Sequence, residues 1–280
     1  ILKKLNLTNA TIIGLKDFEN ENLLAVKEKR TSAEYCWTCT PSIIDYTIKK
    51  YKVASCTYVD ADLYFYDSPS VLINEMPSTY SVLITPHRYT PQHDISETAG
   101  FYCVQFLTFK NNADSLKVLE WWRDACIEWC YNRVEDGKFG DQKYLDDWPQ
   151  RFRGVVWELK NLGGGVAPWN VQQYEFRNQN EKIKGIEKAT NRKFNLIFFH
   201  FHACSFKKEI SPFSKKVMLD YYSGYQLPKS SVKYIYKPYA KLLKKKSLFL
   251  AGLYALPVKV SGETKYNAYG FLKHNLKKIF

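Results

Sequence analysis

The sequence predicts an α/β fold with a mixed sheet flanked by helices, and three observations carry that expectation. Short apolar runs, each long enough for one buried strand, alternate with longer segments of helical character. The hydrophobic fraction of 45% over 280 residues is ample for a buried core. No apolar run reaches the roughly 20 residues that cross a bilayer. The nearest, SLFLAGLYALPV at 247–258, is short and contains a proline, so an integral membrane protein is not expected.

The elements follow in order. In NATIIGLKDF, residues 10–15 predict a buried strand, and 19–29 a charged helix. Thr40 followed by Pro41 predicts a helix start, since threonine caps and proline suits the first helical position; SIIDYTIKKY continues it. ASCTYV predicts the next buried strand, ending on Asp60. TYSVLITPHR gives a strand over 80–85, and AGFYCVQFLTF one over 101–109. From Asp114, the residues Leu116, Leu119, Trp122, Cys126 and Trp129 recur near a helical period, predicting a long amphipathic helix that stops around Gly137. GVVWEL and NLIFFHF predict two later strands. Without an internal repeat or a low-complexity linker, the chain reads as one domain followed by a basic helical appendage from about Ser211.

Charge and cysteines narrow the class. The net charge is +13, and the segment 205–280 carries 16 lysines and no arginine against three acids, so all the excess lies there. In VKYIYKPYAKLLKKKSLFLAGLY the lysines alternate with aromatic and aliphatic residues, a combination that suits an anionic membrane surface. A solvated lysine-rich face is the plain alternative, and nucleic acid is the less favoured partner. The seven cysteines, an odd number without a small-scaffold framework, read as reduced core thiols of a cytosolic protein. Cys36 and Cys39 have the spacing of a redox or zinc half-site but no matching second pair, so helix packing is expected of them.

Asp60 and Asp62 in TYVDADLYFYDSP are two apart, so on an extended chain both carboxylates project to one side while Ala61 faces away. At the carboxyl end of a buried strand that side opens onto the crevice where open α/β sheets bind ligands. Two adjacent anions repel, and burying them is costly unless a cation joins them. Hard oxygen ligands favour magnesium or manganese, ions that keep positions open for phosphate oxygens. The pair therefore suggests a divalent metal holding a diphosphate; the alternative is a polar strand end with solvated aspartates.

These residues carry a resemblance. TYVDADLYFYDSP resembles the D-x-D segment of nucleotide-diphosphate-sugar glycosyltransferases of the GT-A fold, the superfamily that includes glycogenin and bacterial lipopolysaccharide sugar transferases. GFYCVQFLTFKN is similar to the strand after the D-x-D that lines the donor sugar, GDQKYLDDWP to the DQ segment beside the transferred sugar, and FFHFHACS to the late histidine that completes the metal shell. GGGVAPWN looks like a loop of the bacterial polysaccharide members. The resemblance spans about residues 5–205. It implies a GT-A (Rossmann-like) catalytic domain over 1–210 and a basic, lysine- and aromatic-rich helical region over 211–280. It further implies a base-binding strand-helix-strand upstream of Ile1, with LNLTNATIIGL as the third strand, so that 1–210 is expected to be N-terminally incomplete.

The resemblance also assigns roles. Asp60 contacts the ribose or bridges to the metal, Asp62 is a direct ligand, and His202 is favoured over His200 as the third because it lies nearer the turn. A core histidine is the other reading of either. Asp141 and Gln142 start a short helix after Gly140; Asp141 is the candidate base of an inverting enzyme, or else an N-cap. Gly163, Gly164 and Gly165 form a flexible turn that places Trp169 and Asn170 near sugar, and Gln105, with Cys103, stands where the family carries a small residue or Asn against the donor. Arg30 and Trp37 flank the nucleotide. The expected cofactor is Mn2+ or Mg2+, and the substrates are a nucleotide-diphosphate sugar and a glycan or lipid-linked acceptor of bacterial polysaccharide synthesis. The expected location is cytoplasmic, peripheral on the cytoplasmic face of the inner membrane. Two rival classes remain. A haloacid-dehalogenase-like phosphatase wants Thr or Val where Tyr64 stands, with Asp146 and Asp147 as its later acidic pair. A non-catalytic glycan or nucleic-acid binding module would need no metal.

Overall fold

The computed structural model describes residues 7–211, 214–220, 224–254 and 262–265, with side chains over 7–205 and 224–247. Its first elements are α1 (Leu15–Phe18), α2 (Glu21–Lys27) and α3 (Ser32–Tyr51). The strand expected over 10–15 does not form: no chain pairs with it, and Leu15 is about half exposed at the start of a short helix. The third-strand reading of this stretch is therefore corrected. Helix α3 starts nine residues before Pro41, because Thr31 and Glu34 form a reciprocal cap: Glu34 N donates to Thr31 Oγ1 and Thr31 N to Glu34 Oε2. Pro41 lies inside the helix, where it withholds one amide from the ladder.

The strands that frame the site come next: β1 (Ser55–Val59), β2 (Leu63–Phe65), the short α4 (Ser70–Ile73), β3 (Val82–Pro86), α5 (Ser96–Ala99), β4 (Tyr102–Lys110), α6 (Ala113–Glu128), α7 (Trp148–Arg151) and β5 (Val156–Glu158). A mixed four-stranded sheet runs β1-β4-β3-β5, with β4 antiparallel to both neighbours and β3 parallel to β5. Strand β4 is buried along its length because helices cover one face and a second layer covers the other. On the helical face Ile44 and Ile48 of α3 and Val118, Leu119 and Trp122 of α6 meet Leu107 and Phe109 of β4. On the opposite face Phe106 stacks on Phe198 at 5.4 Å. Helix α6 ends at Glu128 and not near Gly137; Trp129 leaves the helix in an extended conformation, and both it and Cys130 turn into the core, which prolongs the apolar period without prolonging the helix.

The remainder comprises β6 (Tyr174–Gln179), β7 (Lys182–Glu187), β8 (Lys193–Asn195), β9 (Phe198–His200), β10 (Ser205–Ser211), β11 (Ser214–Asp220), α8 (Lys229–Ser231), α9 (Lys237–Tyr254) and β12 (Gly262–Lys265). Strands β6, β7 and β8 form an antiparallel meander, and β2 pairs antiparallel with β9, Leu63 opposite His200. The lysine-rich region is not wholly helical: β10, β11 and β12 form a small sheet within it. Its helical part is anchored to the body. Ile235 and Tyr236 are fully buried beside Phe199 and Phe201, and Tyr239 of α9 stacks face to face on Phe201 at 3.6 Å. Among the described residues no helix is long and apolar enough to cross a membrane, and no disulfide joins any of the cysteines.

Candidate metal centre

Three strand ends converge to build the site. Asp60 follows the last residue of β1 and its amide donates to Gln105 O of β4, while Asp62 O accepts from Phe201 N just beyond β9. The D-x-D turn is thus fixed at both ends by the backbone of its neighbours. His200, at the end of β9, is buried; its Nε2 lies 3.0 Å from Asp62 Oδ1 and 4.0 Å from Asp60 Oδ2. Its other nitrogen, Nδ1, lies 2.9 Å from Oε1 of Gln105, which is itself fully buried. Both ring nitrogens therefore face oxygen acceptors. That arrangement aims Nε2 at both carboxylates, where a cation between them would find nitrogen and oxygen donors together.

The two aspartates are held differently. Burial, helped by the charge of Asp62, raises the pKa of Asp60 against the pull of His200 and of Tyr58, whose hydroxyl donates to Oδ1 at 2.9 Å. At Asp62 burial also works upward, but the hydrogen bond and charge of His200 outweigh it and hold the carboxyl below its ordinary range. His202 is exposed at the surface, and burial of its ring face with His200 nearby lowers its pKa. Asp60 with Cys103 and His200, and Asp62 with His200 and His202, each bring their ligand atoms within 4.8 Å of one another. These donor sets, of carboxylate oxygen and imidazole nitrogen with one thiol, could hold a metal ion.

A third carboxyl lies behind the pair. Asp141 is almost fully buried, and burial together with the charge of Asp60 pushes its pKa up to about 7, against hydrogen bonds from Thr40 and from backbone amides. Its Oδ2 has no partner. Gly140 precedes it at φ +54° with the Trp37 ring against its Cα, and Trp122 Nε1 donates to Asp141 O at 2.8 Å. The burial-raised Cys36 thiol feels both Asp141 and Asp60, which puts the first turns of α3 at this corner.

The other expected residues separate into two groups. Trp169 is at the site: its ring meets His200 edge-on at 5.2 Å and His202 at 5.6 Å, and its Nε1 donates to His87 O. Trp37 borders it through Gly140. Arg30 is elsewhere, with its guanidinium bound to Thr38 and to Cys126 O and Ile127 O at the carboxyl end of α6, where a cation complements the helix dipole. Its expected nucleotide contact is corrected to a staple between helices. Gln142 donates to Ala99 O at 2.8 Å, and Asn170 engages His87 O, Gly165 O and Ala167 N, so the Asn170 amide is filled and the Gln142 NH2 is held to the backbone. Gly163, Gly164 and Gly165 are not a flexible turn either. They are buried, and a Cβ on Gly163 would meet Asn195 O at 1.9 Å and one on Gly165 would meet Thr85 at 2.8 Å, so glycine is required by closeness. Asp146 accepts from Phe101 N and Asp147 pairs with Arg151.

Sequence reasoning set Cys103 beside Gln105 against the donor but not among the metal donors, and it passed over Tyr58 and His87 as parts of this corner. Two of them carried a signal: Cys103 stands two before Gln105 and Tyr58 two before Asp60, each on the same strand face as a residue already singled out. His87, stacked on Tyr89 and buried so that its pKa falls to about 3, stands behind Trp169 through tertiary contacts alone.

No family model matches the chain. It is similar to "Uncharacterized protein YfnD" of Bacillus subtilis (strain 168), 29% identical over 241 residues that cover 85% of this chain and 73% of that protein. It is also similar to "Uncharacterized protein YfnF" of the same organism, 32% identical over 208 residues, 72% of this chain and 67% of that one. At that identity, over two thirds of both chains, the protein belongs to the same family as YfnF.

Proposed function

We propose that the protein is a divalent-metal-dependent glycosyltransferase of the GT-A fold, moving a sugar from a nucleoside-diphosphate donor to a hydroxyl of a glycan or lipid-linked acceptor in polysaccharide synthesis. The observation that carries this reading is the convergence of Asp60, Asp62 and His200 at three strand ends, with both nitrogens of the imidazole turned to oxygen acceptors. Asp62, His200 and His202, with Asp60 beside them, would hold Mn2+ or Mg2+, whose chemistry when bound would be to neutralise charge on the departing nucleoside diphosphate.

The chain's own residues account for the rest. Gln105 fixes the ring of His200 so that Nε2 points at the carboxylates, and Tyr58 fixes one oxygen of Asp60. Trp169 closes the wall behind both histidines and keeps water from that side. Asp141 exchanges its proton near neutral pH, which suits a group that accepts the proton of an attacking hydroxyl. Lys244, Lys245 and Lys246 are exposed on α9 and support attachment to an anionic membrane face, where a lipid-linked acceptor would lie.

The test is a screen of nucleotide sugars for manganese-dependent hydrolysis by the protein and by Asp62→Ala. Turnover of a donor by the wild type and its loss in the variant supports the reading. Absence of turnover with every donor overturns it in favour of a binding module.

A further inference from the structure

We propose that the centre contains a second, alternative metal position, formed by Asp60, Cys103 and His200, that selects a thiophilic ion such as Zn2+ and excludes the hard ion of the outer position. The inference goes beyond the transferase reading and does not depend on it, because it concerns ion binding by the protein alone.

The two donor sets share one residue. His200 belongs both to the outer set with Asp62 and His202 and to the inner set with Asp60 and Cys103. Its Nδ1 is engaged by Gln105, so only Nε2 can ligate, and it can serve one ion at a time. Occupation of one position therefore vacates the other.

The sets differ in softness, charge and burial. Cys103 is buried on β4, two residues before Gln105 and so on the same face of the strand. The Gln105 Nε2, also buried, has no partner beside this imidazole. Thiolate with imidazole and one carboxylate is a donor set that favours Zn2+ over Mg2+ or Mn2+. Tetrahedral zinc with bonds of about 2.0–2.3 Å holds its ligand atoms about 3.3–3.8 Å apart. The inner atoms, within 4.8 Å of one another, thus need to close by about 1.5 Å at most. One carboxylate and one thiolate cancel the charge of a divalent ion, which is what a buried position requires. The outer set offers a single carboxylate and two neutral imidazoles beside a half-exposed Asp62, and leaves net positive charge facing solvent for an anionic ligand. Binding at the inner position replaces the Cys103 S–H bond with an S–Zn bond and releases the proton to solvent, with no change of oxidation state. A water fills the fourth coordination place, which keeps the position neutral.

The experiment titrates Zn2+ into the full chain loaded with Mn2+, following free Mn2+ by electron spin resonance, and repeats the metal titration with Co2+ to read the sulfur-to-metal charge-transfer band. The wild type should release Mn2+ as zinc binds and show the band with Co2+. Cys103→Ser should lose the band, keep its Mn2+ affinity, and need about tenfold or more zinc for the same displacement. Cys36→Ser, altering the other thiol near this corner, should behave as wild type. Persistence of the band in Cys103→Ser, or unchanged displacement by zinc, overturns the proposal. X-ray absorption at the zinc edge of the wild-type protein needs no variant to fold: one sulfur neighbour at about 2.3 Å supports the inner position, and oxygen and nitrogen neighbours only would overturn it.

Discussion

The loop over 163–170 and the acidic corner it backs are both buried and both polar, yet they treat their polar atoms in opposite ways. In the loop the side chains of Trp169 and Asn170 are engaged: the Asn170 amide accepts from Ala167 N and donates to His87 O and Gly165 O, and Trp169 Nε1 donates to the same His87 carbonyl. In the corner Asp141 Oδ2, Gln105 Nε2 and His87 Nδ1 have no partner, and two carboxylates share one imidazole. Buried polar atoms normally find partners, so the engaged loop side chains shape the backbone, whereas the spare capacity gathered at one corner beside two carboxylates is open to a ligand.

The largest effect that could break this contrast is at Asp62. Asp62→Ala should lower manganese-dependent donor hydrolysis by about a thousandfold or more, with an unfolding midpoint in urea close to wild type, since its side chain is half exposed and its one contact is to His200. A large loss of stability instead would place Asp62 with the loop residues. Asn170→Ala should do the reverse. Leaving Gly165 O and Ala167 N without partners, and His87 O with Trp169 as its remaining donor, should reduce stability by about 2 kcal/mol in urea denaturation, whereas metal affinity measured on the folded fraction should change little.

Two smaller effects sharpen the comparison. Gln105→Leu should keep the fold and weaken Mn2+ binding by about 10- to 100-fold, because the ring of His200 loses the partner that orients it; calorimetric titration would read this, and an unchanged affinity would remove Gln105 from the site. Asp141 gives a pH signature. Its folded pKa of about 7 stands above the ordinary carboxylate value, so the folded state binds more protons than the unfolded one between about pH 4 and 7, and stability must fall as pH rises through that window. Asp141→Asn, in metal-free protein, should flatten that fall and gain on the order of 2 kcal/mol at pH 7.5 relative to pH 5. An equal slope in both proteins would deny the buried acid. The smallest effect is expected at the surface: Lys244→Gln, Lys245→Gln and Lys246→Gln together should weaken sedimentation with anionic vesicles by about 1 kcal/mol per lysine and leave neutral vesicles unaffected.

How much of this was legible depends on whether the determining contact is local. Strand β4 and the D-x-D at the end of β1 could be read because an apolar run and a two-residue alternation are properties of the chain itself. The start of α3 was misread because Thr40-Pro41 imitates a cap, while the working cap is Thr31 with Glu34, which also binds Asn132 N from beyond α6. The histidine pair was legible as a pair, but His200 as the shared member follows from Gln105, a residue 95 positions away. Arg30 and Gln142 were placed at the site by position in the chain; their partners, the end of α6 and Ala99 O, are set by packing that no spacing reveals. The three glycines show the same limit, since mobility and close crossing both call for glycine and only the neighbour at 1.9 Å from a Gly163 Cβ distinguishes them.

Phe201 stands in the chain between His200 and His202, and its ring is clamped flat against Tyr239 of α9. The basic helix is thus bolted to the one residue that separates the two histidines. A torque on α9, applied wherever its lysines find a charged surface, has a lever arm that ends at the histidine pair. Shortening the protein before residue 239 removes that lever and the bolt together, so a trimmed chain would report on a differently tensioned centre.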